Sequence, residues 1–411
     1  MICWSNKACG AAAILLLLSQ SAAADVVSDW NEKAVTFTLE RKLGPPPAER
    51  VIAMVHVAMF DAVNSIERRY RPYLVQLPAT PIASKEAAAA TAAGSVLAAA
   101  NATTQADMKS MLAVYLASIP DGAAKAEGIE LGHAIAARVL AARADDGAAA
   151  PNSYRTDTPA GVYVPTATVF APQWPNVKPF AMTSPAQFRP VPPVALASAE
   201  WAADYNEIKA FGRIDSTSRS AEQTQVARFW LSIGGDVYYP LVRAIAMQRK
   251  LDVLDSARLF ALVAIARADS LIAVFDAKYH YNFWRPITAI RHGGGNNPAV
   301  ERDATWQPVA DTPMHPEYPC AHCIQAAAMC SVLEAVLGTH EIGEVAMTSR
   351  TAPGVTRRWS DLRDFVREVS QARTWAGFHY RFSARVAQDM GRQIGEHVVA
   401  NYLQPVALAT R

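Results

Sequence analysis

Residues 255–286 read DSARLFALVAIARADSLIAVFDAKYHYNFWRP, a run of apolar side chains too long and too evenly spread to belong to one helix face. The pattern predicts a helix from Asp255 to Trp284, led by an acidic N-cap and stopped at Arg285-Pro286, because a proline ring clashes with the preceding turn. A helix that is apolar all round is buried, either in a protein core or in lipid. Arg258, Arg267, Asp269 and Asp276 exclude the lipid span, so this helix is expected at the centre of the molecule.

Outward from it, helical periodicity dominates and alternating strand patterns are nearly absent. Helices are expected over Arg50–Ile66, Ala83–Ala100, Met108–Ile119, Ala123–Ala142, Ala197–Gly212, Glu222–Ile233 and Leu241–Leu251. Two more follow the long helix, Ile324–Leu337 closed by Gly338, and Ala384–Leu403. The fold class read from the sequence is all-α, built of helical bundles. No repeat of solenoid type is present.

Between the halves, Pro151 to Pro193 holds ten prolines with scattered aromatic residues and no helical period. Tyr154, Tyr163, Phe170, Trp174, Phe180 and Phe188 argue against disorder, so the segment reads as an ordered strap that shapes access to a site. The expected organisation is a leader over 1–24, an N-terminal helical region over 25–150, the strap over 151–195 and a catalytic helical domain over 196–411. The leader is read from Lys7, the short apolar core Ala11 to Leu18 and the small residues Ala22-Ala23-Ala24 before Asp25. It predicts a periplasmic or secreted protein. Two charge-free stretches, Ala87–Ala106 and Thr158–Val177, are too polar or too proline-rich to cross a membrane, so no transmembrane span is expected in the mature chain. A formal net charge of +2 implies neither a nucleic-acid nor an acidic partner.

Three short stretches carry the chemistry. In Lys278-Tyr-His-Tyr-Asn-Phe-Trp-Arg285, seven residues at about 100° each return to nearly the same helix face, so one helix is expected to present both cations. Arg285 suits a bidentate grip on an oxyanion and Lys278 acts as a point charge; the alternative is a solvated basic face. In His315-Pro-Glu-Tyr-Pro-Cys320-Ala321-His322-Cys323, a proline-rich loop runs into a helix. Residues 320–322 would then lie at its N-terminus, where free N–H groups favour an anion. In Arg373-Thr-Trp-Ala-Gly-Phe-His379, six residues turn a helix by about 240°. Either Arg373 reaches round or Gly377 breaks the helix. Two arginines, a lysine and two histidines are costly to gather in a core unless a polyanion joins them.

The order Lys-x6-Arg-Pro, then a Pro-x-x-His, then Arg-x5-His resembles the vanadium-dependent haloperoxidases and the type 2 phosphatidic acid phosphatases. The likeness is to the soluble haloperoxidase branch and covers roughly residues 220–400, with an echo at Met54 to Asn64. It includes Ser256 to Val263 and Gly377-Phe-His-Tyr-Arg-Phe382. The resemblance implies that Lys278, Arg285 and Arg373 neutralise oxyanion oxygens, with Cys320 and Ala321 beside them. His379 would be the vanadate ligand or, in a phosphatase, the nucleophile. His322 would be the general acid–base, and His315 would set halide preference, favouring bromide or iodide. The cofactor implied is vanadate, with hydrogen peroxide and halide as substrates; a phosphatase would use no cofactor and take a phosphate ester.

Cys320-Ala321 stands where the pattern has Ser-Gly, trading a hydroxyl for a thiol, a weaker donor. Ala372 replaces the serine before Arg373, and Ile233 stands where some members have a carboxylate that orients the acid–base histidine, with Asp236 close by. Three readings are open: a vanadate-dependent haloperoxidase, a secreted acid phosphatase working through a phosphohistidine, and a thiol redox protein using Cys320-x-x-Cys323. With Cys3 and Cys9 in the leader, the remaining three cysteines predict no disulfide framework.

Overall fold

A computed structural model describes residues 25–406 of the 411-residue chain. The expected leader lies outside the described residues. Thirteen α-helices and one β-hairpin make up the fold of the described residues. The N-terminal group is α1 (Val26–Glu40), α2 (Pro45–Glu67), α3 (Lys85–Ala100), α4 (Gln105–Ala117) and α5 (Ala123–Ala142). After the strap come α6 (Ala199–Phe211), α7 (Ala221–Phe229), α8 (Tyr239–Arg249), α9 (Val253–Tyr281), α10 (Pro286–His292) and α11 (Ala321–Leu337). The hairpin β1 (Glu341–Ser349) and β2 (Ala352–Asp361) leads into α12 (Leu362–Trp375) and α13 (Arg381–Asn401).

The long apolar helix is central, as its pattern requires: every residue of α9 from Leu259 to Lys278 is buried. It packs on α2, α11 and α13. Its N-cap is Asp252, whose carboxylate accepts the N–H of Asp255, three residues before the expected cap. Its end also differs from expectation. Asn282 adopts the left-handed conformation at φ 49°, its N–H bonds to Lys278 O, and the chain is extended by Arg285. Lys278 and Arg285 therefore do not share a helix. Lys278 is in the last turn of α9, and Arg285 caps the start of α10, whose first residue is Pro286.

Beside α9, α13 lies close enough to α11 that a Cβ on Gly391 would be 2.4 Å from Ile324 O, and one on Gly395 would be 2.7 Å from Ala328 O. Only glycine permits that approach. A single buried cluster draws side chains from Val26 to Leu403, so the N-terminal helices and the site-bearing helices share one core.

The strap is ordered through hydrogen bonds to its neighbours. Asp269 of α9 accepts the N–H groups of Phe180, Ala181 and Met182 at 2.6–2.8 Å. Near its start Val162 bridges to Phe283, and further on Phe170 N–H bonds to Met314 O at 2.7 Å. The strap thereby runs along the loop that carries His315.

Five elements depart from the sequence reading. Helices α1, α10 and α12 were not expected, and neither was the antiparallel hairpin. Its side chains alternate around buried Val345 and Met347, with Ala352 and Trp359 buried on the other strand. The helix expected to reach Ile233 stops at Phe229, because Trp230 leaves helical geometry and the chain unwinds through Ile233. Among the described residues no helix is long and apolar enough to cross a membrane.

Candidate active site

The loop of residues 313–320, the first turn of α11, the end of α12 and the unwound segment after α7 meet around a cavity of about 600 Å³. His315, Ala321, His322, Arg373 and His379 line it, with an apolar wall that includes Phe170, Leu271, Phe275 and Phe378.

Gly377 decides how the third motif closes. At φ 82° it breaks the chain just after α12, and the N–H groups of Phe378 and His379 turn back onto Arg373 O at 3.0 and 3.4 Å. The break, rather than a long reach, sets His379 beside Arg373. A Cβ at Gly377 would lie 2.5 Å from Gly212 O, so the turn depends on glycine twice over.

His379 is almost fully buried, with Nδ1 2.8 Å from Oε1 of Glu317. The carboxylate takes the Nδ1 proton, which leaves the Nε2 lone pair free of it. Arg285 Nη1 stands 3.3 Å from that Nε2 and also donates to Phe378 O at 3.0 Å. Its other donors hold His315, through the carbonyl at 2.9 Å and through Nδ1 at 3.0 Å. Since guanidinium only donates, His315 accepts at Nδ1. Lys278 spends its ammonium on the carbonyls of Pro316, Glu317 and Pro319. Neither Lys278 nor Arg285 lines the cavity; both back the residues that do.

Arg373 differs. Its Nη1 donates to Trp230 O, while its buried Nε has no protein partner. His322 Nε2 lies 3.2 Å from Ser232 O, so a backbone carbonyl of the same unwound segment takes the place of an orienting carboxylate. Asp236 acts one step away: it accepts from Ser232 Oγ and pairs with Arg350 at the hairpin tip.

Cys320 corrects two expectations. It caps α11 and is bonded to Cys323, with 5.4 Å between the Cα atoms, inside the span a disulfide needs. Cys330 is the free, buried cysteine among the described residues. In the disulfide Cys320 has no S–H to offer an anion, and it does not line the cavity. Its Sγ accepts Cys323 N–H at 3.2 Å instead. The N–H groups of Ala321 and His322, in the first turn of α11, have no intrahelical acceptor.

Burial dominates the electrostatics. It lowers Lys278 well below the usual lysine range, assisted by Arg285. It brings Arg285 down to about 10, partly offset by Glu317, and Arg373 down to about 9. Glu317 is pushed up to about 7 against the pull of Lys278 and Arg285. His315, His322 and His379 all fall well below the ordinary imidazole value, through burial first and the nearby cations second. Sequence reasoning missed Glu317 and the carbonyls of Trp230 and Ser232. Glu317 was in plain view two residues after His315, but nothing in the sequence marked it as buried.

Comparison with known proteins bears on the fold that carries this site. Residues 258–407 match the family described as the VCPO second helical-bundle domain. A vanadium chloroperoxidase from Curvularia inaequalis is 24% identical over 302 residues, 57% of this chain and 49% of that protein, so the chain spans about half the length of this curated relative. The crystal structure of a bacterial vanadium-dependent iodoperoxidase superposes with a TM-score of 0.81 at 22% identity, covering 92% of this chain and 96% of the other. An apo bacterial vanadium-dependent chloroperoxidase gives 0.71 at 16% identity, over 87% and 93%. The fold therefore follows that of the bacterial vanadium-dependent iodoperoxidase over 92% of the chain, and residues 258–407 are similar to the VCPO second helical-bundle domain.

Proposed function

We propose that this protein is a vanadate-dependent haloperoxidase that oxidises halide with hydrogen peroxide. The observation that carries the reading is the charge around His379: Lys278, Arg285 and Arg373 are all at most 1% exposed, and Glu317 is the carboxylate paired with the histidine they surround. Buried cations that lower one another's affinity for protons are stabilised by a polyanion. The donor types fit an oxyanion, with an orphaned Arg373 Nε, first-turn N–H groups and an imidazole Nε2 whose protein contact is a 3.3 Å hydrogen bond from Arg285.

Vanadate, when bound, supplies a Lewis-acidic centre at which peroxide is activated. His379 offers Nε2 as the ligand, because Nδ1 is committed to Glu317. Arg373, Arg285 and Lys278 balance the oxyanion's charge, with the N–H of Ala321 at the helix start and Cys320 shaping that turn rather than donating. His322 handles the proton. Its Nε2 is anchored on Ser232 O, which would leave Nδ1 to take a proton from hydrogen peroxide and pass it to the hydroxide that departs as water. The aromatic wall keeps bulk water off the reacting atoms.

His315 sets halide preference in this reading, with bromide or iodide oxidised before chloride. Residues 1–24 act as a secretory leader that delivers the mature protein to the periplasm or outside the cell. Equilibrium binding of vanadate tests the core of the proposal. One vanadate per chain, competed by phosphate and lost in His379→Ala, is the expected result. Absence of vanadate binding, or binding unaffected by His379→Ala, would overturn it.

A further inference from the structure

A second buried polar cluster adjoins the cavity, built from Glu49 on α2, Tyr238 just before α8, Arg267 on α9 and Gln325 on α11. Arg267 is fully buried and its Nη2 donates to Glu49 Oε1 and, at 3.0 Å, to Gln325 Oε1. The second oxygen of Glu49 accepts the Tyr239 hydroxyl at 3.0 Å. The Arg267 guanidinium also lies over the ring of Tyr238, 4.1 Å from its centroid. Both carboxylate oxygens and the amide oxygen thereby each accept one hydrogen bond.

The donors are not. Arg267 Nε, Arg267 Nη1, Gln325 Nε2 and the Tyr238 hydroxyl are all buried without a protein partner. An orphaned buried donor is destabilising, so four in adjoining side chains call for an acceptor. Tyr238 and Gln325 line the same cavity as His322 and Arg373.

The imbalance between donors and acceptors selects the ligand. A water molecule accepts from two donors and must give away two hydrogens, whereas four donors are free here. A monatomic anion only accepts. Glu49 already balances the charge of Arg267, so the cluster does not call for a polyanion, and a singly charged, weakly hydrated ion loses least on entering. We propose that Arg267, Gln325 and Tyr238 hold one halide ion, iodide or bromide, at the wall of the oxyanion cavity. The purpose of this site rests on the haloperoxidase reading; its existence does not.

The test is a bromide soak of vanadate-free crystals of the full chain, read by anomalous scattering, with bromide titration by calorimetry. A bromide peak within hydrogen-bonding distance of Arg267 Nη1, Gln325 Nε2 and the Tyr238 hydroxyl is expected, with affinity falling at least tenfold in Gln325→Met and in Tyr238→Phe. Wild-type crystals with no peak there overturn the site, and so does a peak that both substitutions leave unchanged, which would mark an adventitious ion only. If a variant fails to fold, the wild-type density decides. A peak in a protein that oxidises no halide keeps the anion site and removes the haloperoxidase reading. Halide oxidation without a peak does the reverse.

Discussion

Oε1 of Glu317 receives the Nδ1 proton of His379 at 2.8 Å and the N–H of Tyr380 at 3.2 Å, so one buried carboxylate fixes both the tautomer and the tilt of the ring. Glu317 is itself held by Lys278, whose ammonium clasps the carbonyls of Pro316, Glu317 and Pro319. Partners of this kind tune a ligand's basicity and orientation, and their loss typically weakens metal affinity by roughly 10–100-fold. Glu317→Gln is therefore expected to lower vanadate affinity in that range while circular dichroism stays unchanged. Unaltered affinity would show that the pair is only structural.

The two cavity histidines are expected to separate binding from turnover. His379→Ala should abolish vanadate binding and activity together. His322→Ala should bind vanadate within a few-fold of wild type while turnover falls by roughly 10²–10⁴-fold. Vanadate titration beside steady-state kinetics checks the split, and equal losses of affinity in both variants would contradict it.

Cys320 and Cys323 close a very short ring, so chain entropy gives the disulfide only about 2 kcal/mol. Cys320→Ser with Cys323→Ala should lower the melting temperature modestly. In the unmodified protein the bonded sulfurs are expected to survive peroxide without climbing to sulfinic acid. Mass spectrometry of residues 320–330 after peroxide treatment reads this directly; oxygen added to Cys320 would contradict the pairing.

Acid should destabilise the vanadate-free fold. His56 is fully buried, accepts from Asn31 Nδ2 at 2.9 Å and has its affinity for protons lowered by burial to about 3. Because the folded value lies below the ordinary 6.5, its contribution is complete above that pH and is lost as pH falls from 6.5 toward about 3. His315, His322 and His379 are shifted the same way. Each group adds a slope of about 1.4 kcal/mol per pH unit within its window. His56→Gln keeps an acceptor for Asn31 and should remove one proton's worth of slope in denaturant titrations between pH 4 and 6. An unchanged slope would contradict a neutral His56.

The helical core was legible because α9 and its neighbours bury long apolar runs whose period the sequence displays directly. The motif residues were legible too: His315, Ala321, His322, Arg373 and His379 share one cavity. The single-helix delivery of Lys278 and Arg285 failed because periodicity cannot foresee Asn282 entering the left-handed region three residues before Arg285. The hairpin was hidden because only a few of its side chains are buried, so its alternating pattern is too short to stand out. Ser232 escaped notice for a deeper reason. Its role is carried by a backbone carbonyl, which every residue has.

The most direct measurement is halide oxidation by the purified mature protein with hydrogen peroxide, with and without added vanadate, beside hydrolysis of a phosphate monoester. Bromide or iodide oxidation that appears on adding vanadate and saturates at one equivalent, with no phosphate-ester turnover, is the predicted result. Phosphate-ester hydrolysis that vanadate inhibits, with no halide oxidation at any vanadate concentration, would contradict it and assign the pocket to phosphoryl transfer through His379.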